Sequence, residues 1–149
     1  MRTILLLLLV LLPSFAGAAE TEKAQQALAA AKGLNCVFDS AVDTTWEGES
    51  YSTRPQKGFS FTIDAINTAR GNAKAVGRQG ATHLEMIALP NVRHFLGFVA
   101  TGDLNVTSVH AHFAGEAGKF LASHSVHMAS EPPRTFQHYG VCKPAPLKQ

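Results

Sequence analysis

The sequence predicts an all-β domain, an antiparallel meander of about eight strands that forms a small barrel or sandwich. Three observations support this fold class. Short runs of alternating apolar and polar residues fill the chain after Gly33, turn-forming residues separate them, and two cysteines, Cys36 and Cys142, bracket almost all of them. Strands of this length and spacing are typical of sandwiches and barrels, and short connections favour pairing between sequence neighbours.

Residues 1–19 have the layout of a secretory signal peptide, with Arg2 before a short apolar run and small residues after it. The apolar run is shorter than the roughly 20 residues that a membrane span needs. We expect cleavage after Ala19, with Ala18 as the alternative, and an uncleaved anchor as the competing interpretation. No later run is long enough to span a membrane, so the mature protein is predicted to be periplasmic or secreted, without a stable membrane span.

Residues 20–33 form the next segment, "ETEKAQQALAAAKG", and are predicted to be a short helix or a spacer. Acidic residues come first, Lys32 comes near the end, and Gly33 stops the helix. Leu28 is its only large apolar side chain. The sequence therefore leaves open whether this helix packs on the domain.

The predicted β domain covers residues 34–143. The stretch "FSFTIDAI" shows the alternation most clearly, because it places Phe59, Phe61, Ile63 and Ala65 on one face. Residues 46–58 lack such alternation and are predicted to be the longest loop. Residues 144–149 are predicted to be an exposed tail.

The two cysteines are predicted to form a disulfide. An oxidising compartment permits such a bond, and two cysteines allow only one intramolecular pairing. Cys36 lies in the first predicted strand and Cys142 in the last, and these strands are neighbours in a closed up-and-down barrel. Neither cysteine lies in a CxxC motif, which favours a structural bond over a pair of reactive thiols.

The chain resembles a group of small exported bacterial proteins of unassigned function that share a β-meander and one end-to-end disulfide. The resemblance implies the fold and no activity. In architecture alone, the chain also resembles lipocalin-type and avidin-type barrels, although a G-x-W lipocalin signature near the first strand is missing. The positions that carry the resemblance are Cys36, Phe120, His127, Tyr139, Gly140 and Cys142.

Three histidines suggest a metal site. His110 and His112 share one face of a predicted strand, and the hairpin that follows would place His124 beside them. Three imidazoles suit zinc or copper. The residues that alternate with them are apolar and are predicted to face the core, so the three histidines are expected outside. Without a nearby acidic or cysteine ligand, ordinary surface histidines are the preferred interpretation.

His127 is predicted to face inward, together with Leu121, Ser123 and Ser125. A buried histidine needs hydrogen-bond partners for its ring nitrogens. His127 is therefore expected either to make a structural hydrogen bond or to supply a polar group inside a ligand cavity.

The preferred functional hypothesis is a non-enzymatic binding module for a small apolar or amphipathic ligand inside the barrel. An alternative is a protein-interaction or inhibitor module of the cell envelope, acting through the 46–58 loop with Trp46 and Tyr51. Histidine-based metal binding is the second alternative. The candidate ligand lining is Phe59, Phe61, Phe113, Leu121 and His127.

Composition and motifs argue against other classes. No GxSxG elbow frames a nucleophile and no phosphate-binding loop is present, so we predict neither an enzyme nor a cofactor. The chain has 13 basic and 11 acidic residues, and they are scattered. A nucleic-acid partner would call for a basic patch, and the sequence shows none.

Overall fold

The computed structural model describes residues 16–77 and 80–146, and within them the chain forms one helix and nine strands. Most of the predicted signal peptide, residues 1–15, and the last residues of the predicted tail, 147–149, lie outside the described residues. The elements are α1 (Ala16–Ala30), β1 (Leu34–Trp46), β2 (Tyr51–Gln56), β3 (Phe59–Asn67), β4 (Asn72–Gly77), β5 (Gly80–Leu89), β6 (Val92–Phe98), β7 (Leu104–Phe113), β8 (Phe120–Met128) and β9 (Arg134–Pro144).

The strands close into an antiparallel barrel. Each of β3 to β9 pairs with its neighbour in sequence, β3 pairs with the first half of β1, and β9 returns to pair along the whole of β1. Eight strands therefore form the barrel, and β2 is an additional strand. The predicted fold class is confirmed, and the barrel is the form that the meander takes.

The predicted 46–58 loop is wrong, because its central residues, 51–56, form β2. Phe38 pairs with Phe59 on β3 and Ala41 pairs with Gln56 on β2, which is one continuous register. β2 and β3 thus pair with β1 one after the other in a single register. In the turn between β1 and β2, the Glu47 amide donates a hydrogen bond of 2.9 Å to the Ser50 carbonyl. β2 is exposed along almost its whole length. A strand without a buried face leaves no apolar alternation in the sequence.

The predicted disulfide is confirmed. Cys36 and Cys142 lie directly opposite each other in the β1–β9 ladder and are bonded. Both are fully buried in the core. The bond joins the two strands whose pairing closes the barrel, across a sequence separation of 106 residues.

The helix packs against the barrel end where β3 finishes and β4 begins, called here the helix end. Ala24 and Leu28 are buried in the same core as the barrel residues, and burial of the leucine contributes about 1.5–3 kcal/mol. The Arg93 guanidinium donates to the carbonyl oxygens of Ala29 at 2.7 Å and Ala31 at 3.1 Å. These hydrogen bonds satisfy carbonyl groups at the C-terminus of the helix, and the positive charge of the guanidinium stabilises that end.

The helix also begins earlier than the sequence predicts. It starts at Ala16, so residues 16–19 of the predicted signal peptide form its first turn. Within the described part of the chain, no helix has the length and apolar character needed to cross a membrane.

Two strands depart from the predicted alternation. On β3, the predicted face holds from Phe59 to Ile63, but Ala65 has a positive φ of 51° and lies at a register shift, so Ile66 takes the next buried position. On β8, Phe120, Ala122 and His124 are buried, whereas Leu121 is 41% exposed and His127 faces solvent. Phe120 and Leu121 begin the two faces of β8, and although the Phe120 face also carries Val126 and Met128, these two residues are only partly buried, so alternation distinguishes the faces weakly.

Candidate functional site

A pocket of about 960 Å³ lies at the barrel end opposite the helix, called here the open end. It is bordered by the first residues of β3, the last residue of β4 and the first residues of β5. His124 on β8 also lines it, although β8 and β4 lie on opposite sides of the barrel. The pocket therefore reaches into the barrel interior, and its volume falls within the range of small-molecule sites. The lining is Val37, Phe38, Asp39, Gly58, Phe59, Ser60, Phe61, Ala75, Gly77, Gly80, Ala81, Thr82 and His124.

One side of the pocket is a phenylalanine wall, made of Phe38, Phe59 and Phe61. The rings of Phe59 and Phe61 are parallel within 7° and 5.6 Å apart, as expected for positions i and i+2 on one strand face. The Phe38 ring stacks against both, at centroid distances of 5.3 and 5.9 Å. Phe38 is fully buried, whereas Phe59 is 38% exposed at the pocket mouth.

The next two strands, β4 and β5, contribute a small-residue wall, formed by Ala75, Gly77, Gly80 and Ala81. These residues have little or no side chain to extend into the barrel, so space remains beside the phenylalanine wall. The helix end is different, because large buried side chains such as Leu28 and Phe120 occupy it. The barrel is thus packed at one end and open at the other.

Two glycines hold the phenylalanine wall in place. A Cβ atom at Gly58 would lie 2.0 Å from the Phe38 carbonyl oxygen. A Cβ atom at Gly140 would lie 2.1 Å from the Val37 carbonyl oxygen and 2.6 Å from the Phe38 Cα. Neighbouring strands approach β1 this closely where its register with β9 shifts. Only glycine allows that approach, which sets the position of the Phe38 ring.

Two histidines adjoin the phenylalanine wall from β8 and β9. His124 pairs with His138 across the ladder, and their ring centroids are 5.8 Å apart. Phe59 lies 5.2 Å from His124 and 4.7 Å from His138, nearly perpendicular to both rings. Both imidazoles are buried. The site thus combines an aromatic surface with two polar rings.

The two histidines differ in their hydrogen bonds. The Thr107 hydroxyl and Nδ1 of His124 share a buried hydrogen bond of 2.8 Å. Nδ1 of His138 is sealed from solvent and has no partner within the described residues. An unsatisfied buried nitrogen costs about 1–3 kcal/mol. The perpendicular Phe59 ring offers it only a weak N–H···π contact.

Burial keeps both imidazoles neutral. It lowers the pKa of His124 from 6.5 to about 4, with a smaller contribution from His138, and it also lowers the pKa of His138. The charged form of an imidazole would lose its hydration here without a compensating anion. Near neutral pH the depth of the pocket is therefore uncharged.

The carboxylate of Asp43 is buried, and its negative charge is compensated. The Arg134 guanidinium donates two hydrogen bonds to the Asp43 carboxylate, from Nε at 2.9 Å and from Nη2 at 2.5 Å. These hydrogen bonds hold the pKa of Asp43 below its usual value of 3.8. The guanidinium also lies 4.7 Å from the Phe136 ring centroid. Because this arrangement joins β9 to the second half of β1, we assign it a structural role.

The structure brings together only part of the predicted ligand lining. Phe59 and Phe61 line the pocket. Phe113 lies at the helix end, where it packs 5.4 Å from Phe120 and borders a smaller cavity of about 370 Å³ beneath the helix. Leu121 and His127 point outward, so their predicted place in the lining is wrong.

The predicted metal ligands are not brought together. His110 and His112 are exposed on the outer face of β7, as predicted, but His124 faces the interior. The barrel wall therefore separates it from the other two. Within residues 16–77 and 80–146, no group of three or more histidine, cysteine, aspartate or glutamate side chains is arranged to hold a metal ion.

Trp46 and Tyr51 form the last pair of the β1–β2 hairpin. Their rings are 5.1 Å apart at an angle of 70°, and Tyr51 is 61% exposed. Neither residue lines the pocket. The two aromatic residues of the predicted interaction segment thus lie at a hairpin tip, away from the cavity.

Sequence reasoning missed His124 and His138 as pocket residues, although one signal was available. Counting back in twos from Cys142, which the disulfide places in the core, puts Gly140, His138 and Phe136 on the same inner face. Pairing β9 with β8 would then have brought His124 inward as well.

Comparison of the chain with protein-family models, with curated proteins and with solved structures finds no match.

Proposed function

We propose that this protein is a non-enzymatic binding module that holds a small apolar or amphipathic ligand in the pocket at the open end. The observation that carries the proposal is the contrast between the two barrel ends. Large side chains occupy the helix end, whereas a phenylalanine wall and the small residues of β4 and β5 border a pocket of about 960 Å³ at the other. The sequence features of a signal peptide support a periplasmic or secreted location for this activity.

The lining favours an apolar partner. Removing apolar surface from water contributes about 25 cal/mol per Å², and the exposed face of Phe59 offers such surface at the pocket mouth. A flat aromatic face adds stacking of about 0.5–1.5 kcal/mol for a ligand ring. The pocket is also largely preformed, because two glycine contacts and the disulfide hold β1 in place.

The proposal can be tested with N-phenyl-1-naphthylamine, a neutral apolar dye that fluoresces on leaving water. The wild-type protein should bind it saturably. Thr82→Trp places a large side chain in the pocket and should weaken binding about tenfold or more. His83→Trp is the matched control, because the neighbouring residue is exposed and does not line the pocket.

Both variants should unfold at similar temperatures, which separates loss of the pocket from loss of the fold. Absence of saturable binding by the wild-type protein, or equal affinity in the two tryptophan variants, would contradict a ligand site in this pocket.

A second candidate function, protein interaction within the cell envelope, has one observation in its favour. Tyr51 is exposed at a hairpin tip. However, the same strand carries Arg54 and Pro55, residue types that discourage strand addition at an edge. A photo-crosslinking amino acid at position 51 should capture a discrete partner in the host, whereas one at position 98, where Phe98 is also exposed, should not.

A further inference from the structure

His124 differs from every other polar residue of the pocket lining in its depth. Asp39, Ser60 and Thr82 are exposed at the rim, whereas His124 is buried. Its Nδ1 is engaged by the Thr107 hydroxyl. Among the described residues, no side chain forms a hydrogen bond with its other nitrogen, Nε2. Nor is Nε2 sealed inside the protein without a partner, because among these residues Nδ1 of His138 is the only side-chain nitrogen or oxygen in that situation. Nε2 of His124 therefore remains accessible from the pocket.

The chemistry of this nitrogen narrows the class of ligand. A neutral imidazole presents Nε2 as either a donor or an acceptor, depending on the tautomer that the Thr107 bond selects. A hydroxyl group satisfies both cases, because it donates and accepts. A carboxylate fits poorly beside the buried His124, since it would lose its hydration there, and the lining within residues 16–77 and 80–146 offers no cation and carries Asp39 at the rim.

The shape of the pocket narrows the class further. The Phe59 and Phe61 rings are parallel within 7° with centroids 5.6 Å apart, so they form an offset stack, and Phe59 is its partly exposed member at the pocket mouth. The small-residue wall on the neighbouring strands adds no projecting side chains. A planar ring can extend the stack on Phe59, and His124 lies 5.2 Å from that ring.

We infer that the ligand is an uncharged aromatic molecule bearing a hydroxyl group, with its ring on Phe59 and its hydroxyl on Nε2 of His124. This assignment rests on the proposed function and specifies the chemistry of the same pocket. It makes His124 the residue that discriminates between ligands of similar shape.

Three probes with the same ring system test the assignment: naphthalene, 2-naphthol and 2-naphthoate, each competing with N-phenyl-1-naphthylamine at neutral pH. One hydrogen bond should make 2-naphthol bind about 2- to 12-fold tighter than naphthalene. 2-Naphthoate should bind more weakly than 2-naphthol. His124→Phe should abolish the preference for 2-naphthol, whereas His127→Phe, an outward histidine of the same strand, should preserve it.

A measurement on the wild-type protein avoids reliance on the folding of His124→Phe. With ¹⁵N-labelled histidine, the Nε2 resonance of His124 should shift on addition of 2-naphthol and move much less with naphthalene. Failure of the dye and of all three probes to bind would overturn the proposed function as well. Equal affinities for naphthalene and 2-naphthol with an unmoved Nε2 resonance, or tightest binding of 2-naphthoate, would overturn this assignment and leave a ligand pocket in place.

Discussion

Acidification below about pH 6.5 should destabilise the protein through His124. The folded state lowers the pKa of this residue from 6.5 to about 4, mainly because the ring is buried. When the pKa of a histidine is lower in the folded state than in the unfolded state, the free energy of unfolding is at its full value above the unfolded pKa. As the pH drops from 6.5 toward 4, the unfolded chain binds the proton first, so the free energy of unfolding falls. His138, whose pKa is lowered by burial as well, acts in the same direction.

The magnitude follows from the size of this pKa difference. Between an unfolded value of 6.5 and a folded value of about 4, the full effect of His124 is about 3 kcal/mol, of which about 2.5 kcal/mol is lost between about pH 7.5 and about pH 4.5. The Asp43 carboxylate does not account for the loss of stability in this pH range. Its pKa is lowered below 3.8 by Arg134, so its contribution is lost only at more acidic pH.

Urea unfolding at several pH values measures the effect directly, because the midpoint follows the free energy of unfolding. His124→Gln removes the titrating ring and should flatten the pH dependence across this range. His127→Gln is the matched control on the same strand and should leave the slope unchanged. A wild-type stability that is constant within about 0.5 kcal/mol over this range, or an equal loss in His124→Gln, would refute the assignment of a buried neutral imidazole.

Three further variants, one of them with a matched control, probe the closure of the barrel and the docking of the helix. Replacing both Cys36 and Cys142 with alanine should lower the free energy of unfolding by about 2–5 kcal/mol in chemical denaturation, and undiminished stability would show that the disulfide does not secure closure. Gly140→Ala should destabilise by about 2–4 kcal/mol, since its Cβ would lie 2.1 Å from a β1 carbonyl oxygen, whereas Gly77→Ala meets nothing within 4 Å and should be near neutral. Arg93→Met should cost about 1–3 kcal/mol and speed hydrogen exchange in the helix, while unchanged exchange would argue against its role as the helix anchor.

Local patterns were enough to predict the fold class and the disulfide. A strand with one buried face repeats apolar residues every second position, and turn residues mark where it ends. Such strands make up most of this chain, so the meander was evident from the sequence. The cysteine pairing required only the count of two and the expected compartment.

Local patterns failed where burial does not follow a simple period. β2 was predicted as a loop because it is exposed and its neighbours in space do not impose an apolar face. Ala65 was placed on the face of Ile63 because a positive φ and a register shift cannot be read from alternation. The sequence left the packing of the helix open, since the guanidinium that anchors it comes from Arg93, 62 residues beyond Ala31.

The sequence by itself therefore determined a disulfide-closed β-meander and two residues of the pocket, Phe59 and Phe61. The tertiary structure decided the rest of the site. β8 offers Phe120 to one face and Leu121 to the other, and only the ladder with β9 directs Phe120 toward Cys142 and His124 toward His138. The side of a strand that faces the core is a property of its neighbours, so the same alternation that reveals a strand cannot say which of its histidines is buried.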